Sequence, residues 1–195
     1  MGRFIVLEGG EGVGKSTQAA ARARHLGAVL TREPGGTAVG EALRSLLLGS
    51  SGPAPVARAE TLLMLAARAQ HVAEVIEPAL ACGQDVVCDR YSGSTLAYQG
   101  YGRGLDLGQL RHLDQWASGG RGPDLVILLD LPVELARRRR EGTTPDRIEG
   151  EGDEFLARVQ AGFRALAAAS PERWKVVDAS GGVAEVEAAV RAAVE

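Results

Sequence analysis

An α/β fold, a five-stranded parallel sheet with helices on both faces, is what the sequence of 195 residues predicts. Three observations carry that prediction. Short runs rich in Val, Ile and Leu alternate with longer stretches of helix formers, the order of a parallel sheet whose crossovers are helices. Polar or charged residues close the apolar runs, where open sheets of this kind bind ligands. The first run also leads directly into a glycine-rich turn and then a breaker-free helical stretch.

Residues 3–8 read R-F-I-V-L-E, a buried strand led by Phe4, Ile5, Val6 and Leu7. The next eight residues, Gly9-Gly10-Glu11-Gly12-Val13-Gly14-Lys15-Ser16, match G-x-x-x-x-G-K-[ST]. Strand, glycine turn and helix together are the context of a phosphate-binding P-loop, and with the alternating runs they indicate a three-layer P-loop NTPase fold. The glycines let backbone N–H groups turn inward on a phosphate, at the positive end of the helix that Ser16 and Thr17 begin. Lys15 is expected to reach the outer phosphates of a nucleoside triphosphate, and the Ser16 hydroxyl to ligate Mg²⁺. Lysine is rare here: Lys15 and Lys175 are the only two, against twenty arginines. A compact ammonium fits a phosphate cradle where a broad guanidinium does not.

The first helix covers residues 16–24, and residues 28–31 form a second strand. That strand delivers Arg32-Glu33-Pro34-Gly35-Gly36-Thr37, a sharp turn in which Arg32 and Glu33 are either solvated or held. A helix over residues 39–48 puts Leu43, Leu46 and Leu47 on one face and Arg44 off it. Residues 50–55 are a connection. Residues 56–81 form a long helical run, apolar through Leu62, Leu63, Met64 and Leu65 and interrupted by Arg68, Gln70 and His71. A lone arginine on such a helix reads more readily as snorkelling than as functional. The third strand, residues 84–91, ends on Asp89-Arg90-Tyr91. Residues 92–104, glycine-rich and holding Ser94, Thr95, Tyr98, Gln99 and Arg103, read as a substrate loop. A helix over 108–117 and a turn over 119–123 precede the fourth strand, 124–130. Residues 133–140 are helical and close on Arg137 to Arg140; residues 141–152 are the least core-like of the chain. Amphipathic helices over 154–169 and 183–194 flank the fifth strand, 174–178. The whole reads as one domain.

Net charge is −3, so no global basic footprint points to nucleic acid. No apolar run reaches the roughly 18 residues of a membrane span. A strand beginning at residue 3 leaves no room for a signal peptide, and a cytoplasmic location is expected. Cys82 and Cys88 have no metal-site spacing and read as buried free thiols. A P-loop leaves three classes open: a small-molecule kinase, a GTPase switch, and an ATP-driven motor or assembly factor. The sequence contains no asparagine, which excludes the N-K-x-D guanine reader. The lack of a basic tail weakens the motor. Arg44, Arg68 and Arg90, each near the phosphate-binding end of the sheet, suit an anionic second substrate.

Several pieces resemble the bacterial thymidylate kinase family, P-loop nucleoside monophosphate kinases that transfer the γ-phosphoryl of ATP to dTMP. They are the P-loop from Glu8 to Thr17, Thr31-Arg32-Glu33-Pro34-Gly35-Gly36-Thr37 with Leu43-Arg44-Ser45-Leu46-Leu47-Leu48, and Ala66-Ala67-Arg68-Ala69-Gln70-His71-Val72. Further pieces are Asp89-Arg90-Tyr91, Ser94-Thr95 with Ala97-Tyr98-Gln99-Gly100, Gly102-Arg103-Gly104, Pro123-Asp124-Leu125 with Leu129-Asp130, and Asp146-Arg147-Ile148-Glu149. The resemblance implies that Arg90 and Arg44 bind the dTMP phosphate, that Arg68 hydrogen-bonds thymine, and that Ser94 or Thr95 and Gln99 lie along the base. It implies that Tyr98 packs on deoxyribose, Glu11 reaches the 3′-hydroxyl, and Glu33 with a cis Pro34 shapes the phosphate pocket. Asp89 helps place Mg²⁺, a role preferred over general base, since the acceptor is already an ionised phosphate; a capping carboxylate is the other reading. A lid, residues 137–152, covers ATP and supplies Arg140, Arg147 or both to the transferred group, Arg137 sharing a helical face with Arg140. Family members are homodimers, which makes residues 56–81 a candidate interface beside plain core burial. Two departures stand out. The family usually has Phe where this chain has Met64, against the thymine face, and residues 141–145 depart from the pattern. A kinase for another nucleoside monophosphate is the runner-up, and a P-loop assembly factor the third reading.

Overall fold

The computed structural model describes residues 2–49, 54–142 and 146–194. Five parallel strands form one sheet: β1 (Phe4–Glu8), β2 (Val29–Arg32), β3 (Val86–Asp89), β4 (Leu125–Asp130) and β5 (Trp174–Asp178), in the order β2-β3-β1-β4-β5. β1 is central and wholly buried, as its unbroken apolar run requires. Its residues alternate between two cores. Ile5 and Leu7 pack with α1 (Lys15–Leu26), α7 (Val133–Arg139) and α9 (Val183–Val194). Phe4 and Val6 pack on the opposite face, against Val72, Ile76, Leu80 and Tyr91. A third cluster gathers Tyr98, from residues 96–102, with Leu128 of β4 and Phe155 and Phe163 of α8 (Asp153–Ala169).

Register decides where the polar strand ends meet. Leu7 pairs with Asp89 and Arg32 pairs with Asp89 from the other side, so β3 delivers Asp89 and Arg90 beside the turn that leaves β1. α2 (Ala38–Leu48) is capped by Thr37, whose hydroxyl accepts from the Gly40 N–H at 2.9 Å. α3 (Ala57–His71) continues through a π-helical stretch, Val72–Ile76, into α4 (Glu77–Ala81).

Four expectations are corrected. Residues 92–104 are not a loop but a helix: α5 (Ser92–Thr95) runs into a second π-helical stretch, Leu96–Gly102. The glycines there serve packing, since a Cβ at Gly100 would lie 2.4 Å from Leu107 and one at Gly102 2.6 Å from Phe155. Leu46 is 61% exposed, because α2 turns Leu47 inward, one residue and about 100° away. Cys82 is exposed in the turn after α4, and only Cys88 is buried. Arg68 does not snorkel: it is buried and paired with acids, as described below. The connection at 50–53 and residues 143–145 of the expected lid lie outside the described residues. Among the described residues no helix is long and apolar enough to cross a membrane.

Candidate active site

The turn from Gly9 to Gly14 wraps the N-terminus of α1. At Gly12 φ is 72°, and a Cβ there would lie 2.6 Å from the Ala136 carbonyl and 3.0 Å from Cγ of Arg140. Only glycine fits so close an approach of α7 to the loop. Lys15 is buried and donates to the Gly10 carbonyl, while Val13 anchors the loop in the core. Burial, then the charge of Arg90, lowers the Lys15 pKa to about 8. Ser16 and Thr17 are exposed on the first turn of α1. The Ser16 hydroxyl donates to Oδ2 of Asp89 at 2.5 Å, and Oδ1 of Asp89 is buried with no hydrogen-bond partner. A hydroxyl and an unsatisfied carboxylate oxygen side by side are a donor set for a hard, oxygen-seeking cation such as Mg²⁺.

A cavity of about 150 Å³ opens beside this loop, roughly ten times what one water needs. Glu11, Glu33, Pro34, Arg44, Met64, Arg68, Arg90, Ser94, Thr95, Tyr98 and Gln99 all line it. Four further residues line it, Leu48, Tyr91, Asp146 and Ile148, beyond those the sequence marks as site residues. Their signal was present in Asp89-Arg90-Tyr91 and Asp146-Arg147-Ile148-Glu149.

Arg90 holds the centre. Its backbone has φ 73°, a left-handed conformation worth about 1–3 kcal/mol of strain in a residue with a side chain. The N–H of Arg90 donates to the Leu7 carbonyl at 2.9 Å. The guanidinium donates to the Gly9 carbonyl at 2.9 Å, Ser94 Oγ at 3.0 Å, the Tyr98 hydroxyl at 3.3 Å, and Glu11 in a salt bridge. The Tyr98 hydroxyl also donates to Glu11 at 2.9 Å. Burial alone would raise the Glu11 carboxyl, but Arg90, Lys15 and Arg140 outweigh it and hold the pKa at about 2.

Beneath them lies Glu8, which the sequence showed only as the acid closing an apolar strand. It is fully buried and accepts from the N–H groups of Tyr91 and Ser94, each at 3.0 Å, and from the Ser94 hydroxyl at 2.6 Å. Burial raises its pKa to about 7 despite those bonds. Glu8 thereby ties β1 to the segment carrying Arg90.

Arg44 donates to the Pro34 carbonyl at 2.8 Å and, unlike Arg68 and Arg90, makes no salt bridge among the described residues. The Glu33–Pro34 peptide is cis. Glu33 is held rather than solvated: Nη2 of Arg68 lies 2.7 Å from it and His71 3.0 Å. Gln99 donates to Glu60 at 2.9 Å.

The arginines after α7 divide. Arg140 stands beside Gly12 and lines a smaller cavity with Gly10, Glu11 and Val13. Arg137 does not share its surroundings: α7 ends at Arg139, and Arg137 turns outward to Asp153 at 3.8 Å. Arg139 donates to the Ser180 and Gly181 carbonyls. Arg147 is drawn to Glu60 at 2.7 Å and to the Leu47 carbonyl at 2.8 Å, in the wall that Asp146 and Ile148 contribute to the larger cavity.

A family model described as thymidylate kinase matches residues 7–190. A thymidylate kinase of Synechococcus sp. (strain JA-2-3B'a(2-13)) is 53% identical over 197 residues, covering 98% of this chain and 94% of its own. One from Methylococcus capsulatus is 48% identical over 200 residues, covering 100% of this chain and 95% of its own. The crystal structure of thymidylate kinase from Ehrlichia chaffeensis is similar with a TM-score of 0.83 at 30% identity, over 100% of this chain and 99% of that one.

Proposed function

The chain belongs to the thymidylate kinase family, and from that premise we propose how its residues divide the work of phosphorylating dTMP with ATP. It is a dTMP kinase, a phosphotransferase whose acceptor is itself a phosphate. The observation that carries the assignment is the position of Arg90, whose guanidinium bonds Gly9 and Glu11 in the phosphate loop and Ser94 and Tyr98 in the cavity. One cation thus stands where a donor phosphate and an acceptor phosphate have to meet.

In this reading the loop from Gly9 to Thr17 takes the ATP phosphates, with Lys15 on the outer ones. Arg44 and Arg90 hold the dTMP phosphate, and Glu33 and Pro34 shape its pocket. Arg68 faces the base, Met64 lies against its face in place of the family's usual Phe, and Thr95 and Gln99 line its edge. Tyr98 packs on the sugar while Glu11 takes the 3′-hydroxyl. Phosphoryl transfer asks the protein for alignment and charge neutralisation rather than for a base. Ser16 and Asp89 would hold Mg²⁺, which when bound neutralises charge on the phosphates. The residues following α7 form the lid over the donor. Arg140, beside the loop, is the arginine for the transferred group. Arg147, paired with Glu60, is assigned to the wall of the acceptor cavity.

A homodimer is part of the proposal. Val56 and Leu62 on α3 are 73% and 57% exposed, and Leu46 on the neighbouring α2 is exposed too. A mass by light scattering of one chain at all concentrations would count against it. We place the reaction in the cytoplasm.

The test is ADP release with a panel of nucleoside monophosphates. Turnover with dTMP and weaker turnover with dUMP support the reading. Preferential turnover of a purine monophosphate, or ATP hydrolysis indifferent to every acceptor, overturns it.

A further inference from the structure

A chain of buried polar groups crosses the base end of the cavity from behind. The Thr31 hydroxyl lies 2.6 Å from Nε2 of His71, and Nδ1 of His71 lies 3.0 Å from Oε1 of Glu33. Oε2 of Glu33 accepts from Nε of Arg68 at 2.8 Å and lies 2.7 Å from Nη2. Nη1 of Arg68 donates to Asp114 on α6 (Leu107–Ala117), and the Tyr91 ring lies under the guanidinium, 4.7 Å from its centroid to Cζ. His71 has no exposed surface, and Arg68 is 2% exposed. Gly36 makes room for the imidazole: a Cβ there would sit 2.8 Å from the ring and from the Thr31 hydroxyl.

This arrangement restricts Arg68 on three sides. A guanidinium has five N–H donors and no acceptor. With Nε bonded to Glu33, Nη1 to Asp114 and Nη2 held 2.7 Å from Oε2 of Glu33, only the remaining N–H groups can meet a ligand. Their direction is fixed by carboxylates that are themselves fixed. Glu33 can only accept, so Nδ1 of His71 carries a hydrogen and donates it, holding Oε1 while Oε2 serves Arg68. Of these polar groups Glu33, Arg68 and Tyr91 line the cavity, while Thr31, His71 and Asp114 do not.

We propose that His71 and Asp114 are positioning residues for base discrimination, holding Glu33 and Arg68 so that donors alone face a pyrimidine carbonyl. A donor-only edge accepts a base with a carbonyl at that position and rejects one with an amino group, because two donors cannot pair. An arginine left free to change rotamer loses that selectivity before it loses charge. The inference rests on the reading of the cavity as the dTMP site.

The experiment compares dTMP with dCMP in the ADP-release assay, on wild type, His71→Leu, His71→Asn and Asp114→Ala. Asparagine keeps a donor near the position of Nδ1; leucine keeps volume alone. His71→Leu and Asp114→Ala are expected to raise the KM for dTMP about tenfold, a cost of one charge-assisted hydrogen bond, with the KM for ATP within about twofold. The ratio of kcat/KM for dTMP over dCMP falls by about tenfold or more, and His71→Asn recovers most of it. Unchanged discrimination, or dTMP and ATP constants rising together, overturns the proposal and leaves a structural role. If His71→Leu does not fold, Asp114→Ala decides alone, since Asp114 sits at 15% exposure on an outer helix. Wild-type enzyme that turns over dCMP as well as dTMP overturns the underlying reading of Arg68, a failure visible before any variant is made.

Discussion

Arg90→Ala should separate acceptor from donor binding. The side chain is 14% exposed and bonds four groups, and its Cζ lies 5.2 Å from the centroid of the Tyr98 ring, so truncation removes packing as well as charge. Losing a charge-assisted hydrogen-bonding partner of a buried phosphate costs roughly 2–5 kcal/mol. The lower part of that range applies here, because Arg90 already spends its strongest bond on Glu11 and a phosphate has to share it. About 2–3 kcal/mol is expected, which is about 30- to 150-fold in Kd for dTMP. Affinity for a non-hydrolysable ATP analogue should fall less than about tenfold, since Lys15 and the loop amides remain. Titration calorimetry of both nucleotides on wild type and variant measures the split, and Arg90→Lys should lie between, keeping the charge without the fork. Equal losses for the two nucleotides, or none for dTMP, would refute the assignment of Arg90 to the acceptor.

Glu8→Gln should flatten the pH dependence of stability. The carboxyl rises from its usual 4.5 to about 7 in the fold, so its contribution is complete below about 4.5 and lost as pH rises through 7. The slope is at most about 1.4 kcal/mol per pH unit between those values, and urea melts at intervals from pH 5 to 8 that are parallel for both proteins count against it. Glu60→Ala should cost about 3–5 kcal/mol of stability, because it removes the buried carboxylate that pairs with Arg147 and accepts from Gln99, while Arg103 keeps Glu151; a loss below about 1 kcal/mol contradicts this. Arg140→Ala should lower kcat by about tenfold or more with little change in dTMP affinity. Arg137→Ala should stay within about twofold, as its ion pair with Asp153 is exposed and 3.8 Å long. The reverse order would move the lid's function to Arg137.

Much of this architecture was legible because each strand announces itself twice, by an apolar run and by the polar residues that end it. β1 is buried on both sides and reads as unbroken F-I-V-L; β5, at the edge, still stood out between two amphipathic helices. The failures have physical causes. Glycines at 100 and 102 imitate a loop, yet they allow a helix to approach Leu107 and Phe155. Arg68 reads as a lone cation on an apolar helix because its partners, Glu33 and Asp114, lie 35 and 46 residues away. Glu60 and Arg147 are 87 residues apart, so no local spacing could have joined them. Glu8 was visible only as a strand's last residue, and its burial depends on Tyr91 and Ser94 folding over it.

In the proposed reading the phosphate loop and the acceptor cavity meet at Arg90, Glu11 and Tyr98 as one continuous site. A single ligand in which adenosine and thymidine are joined at their 5′ positions through a chain of phosphates tests it most directly. Inhibition kinetics should show this ligand competitive against both ATP and dTMP. It should bind about 100-fold more tightly than either nucleotide alone, because occupying one half raises the effective concentration of the other. Competition with only one of the two substrates, at an affinity no better than that substrate's, would contradict the account.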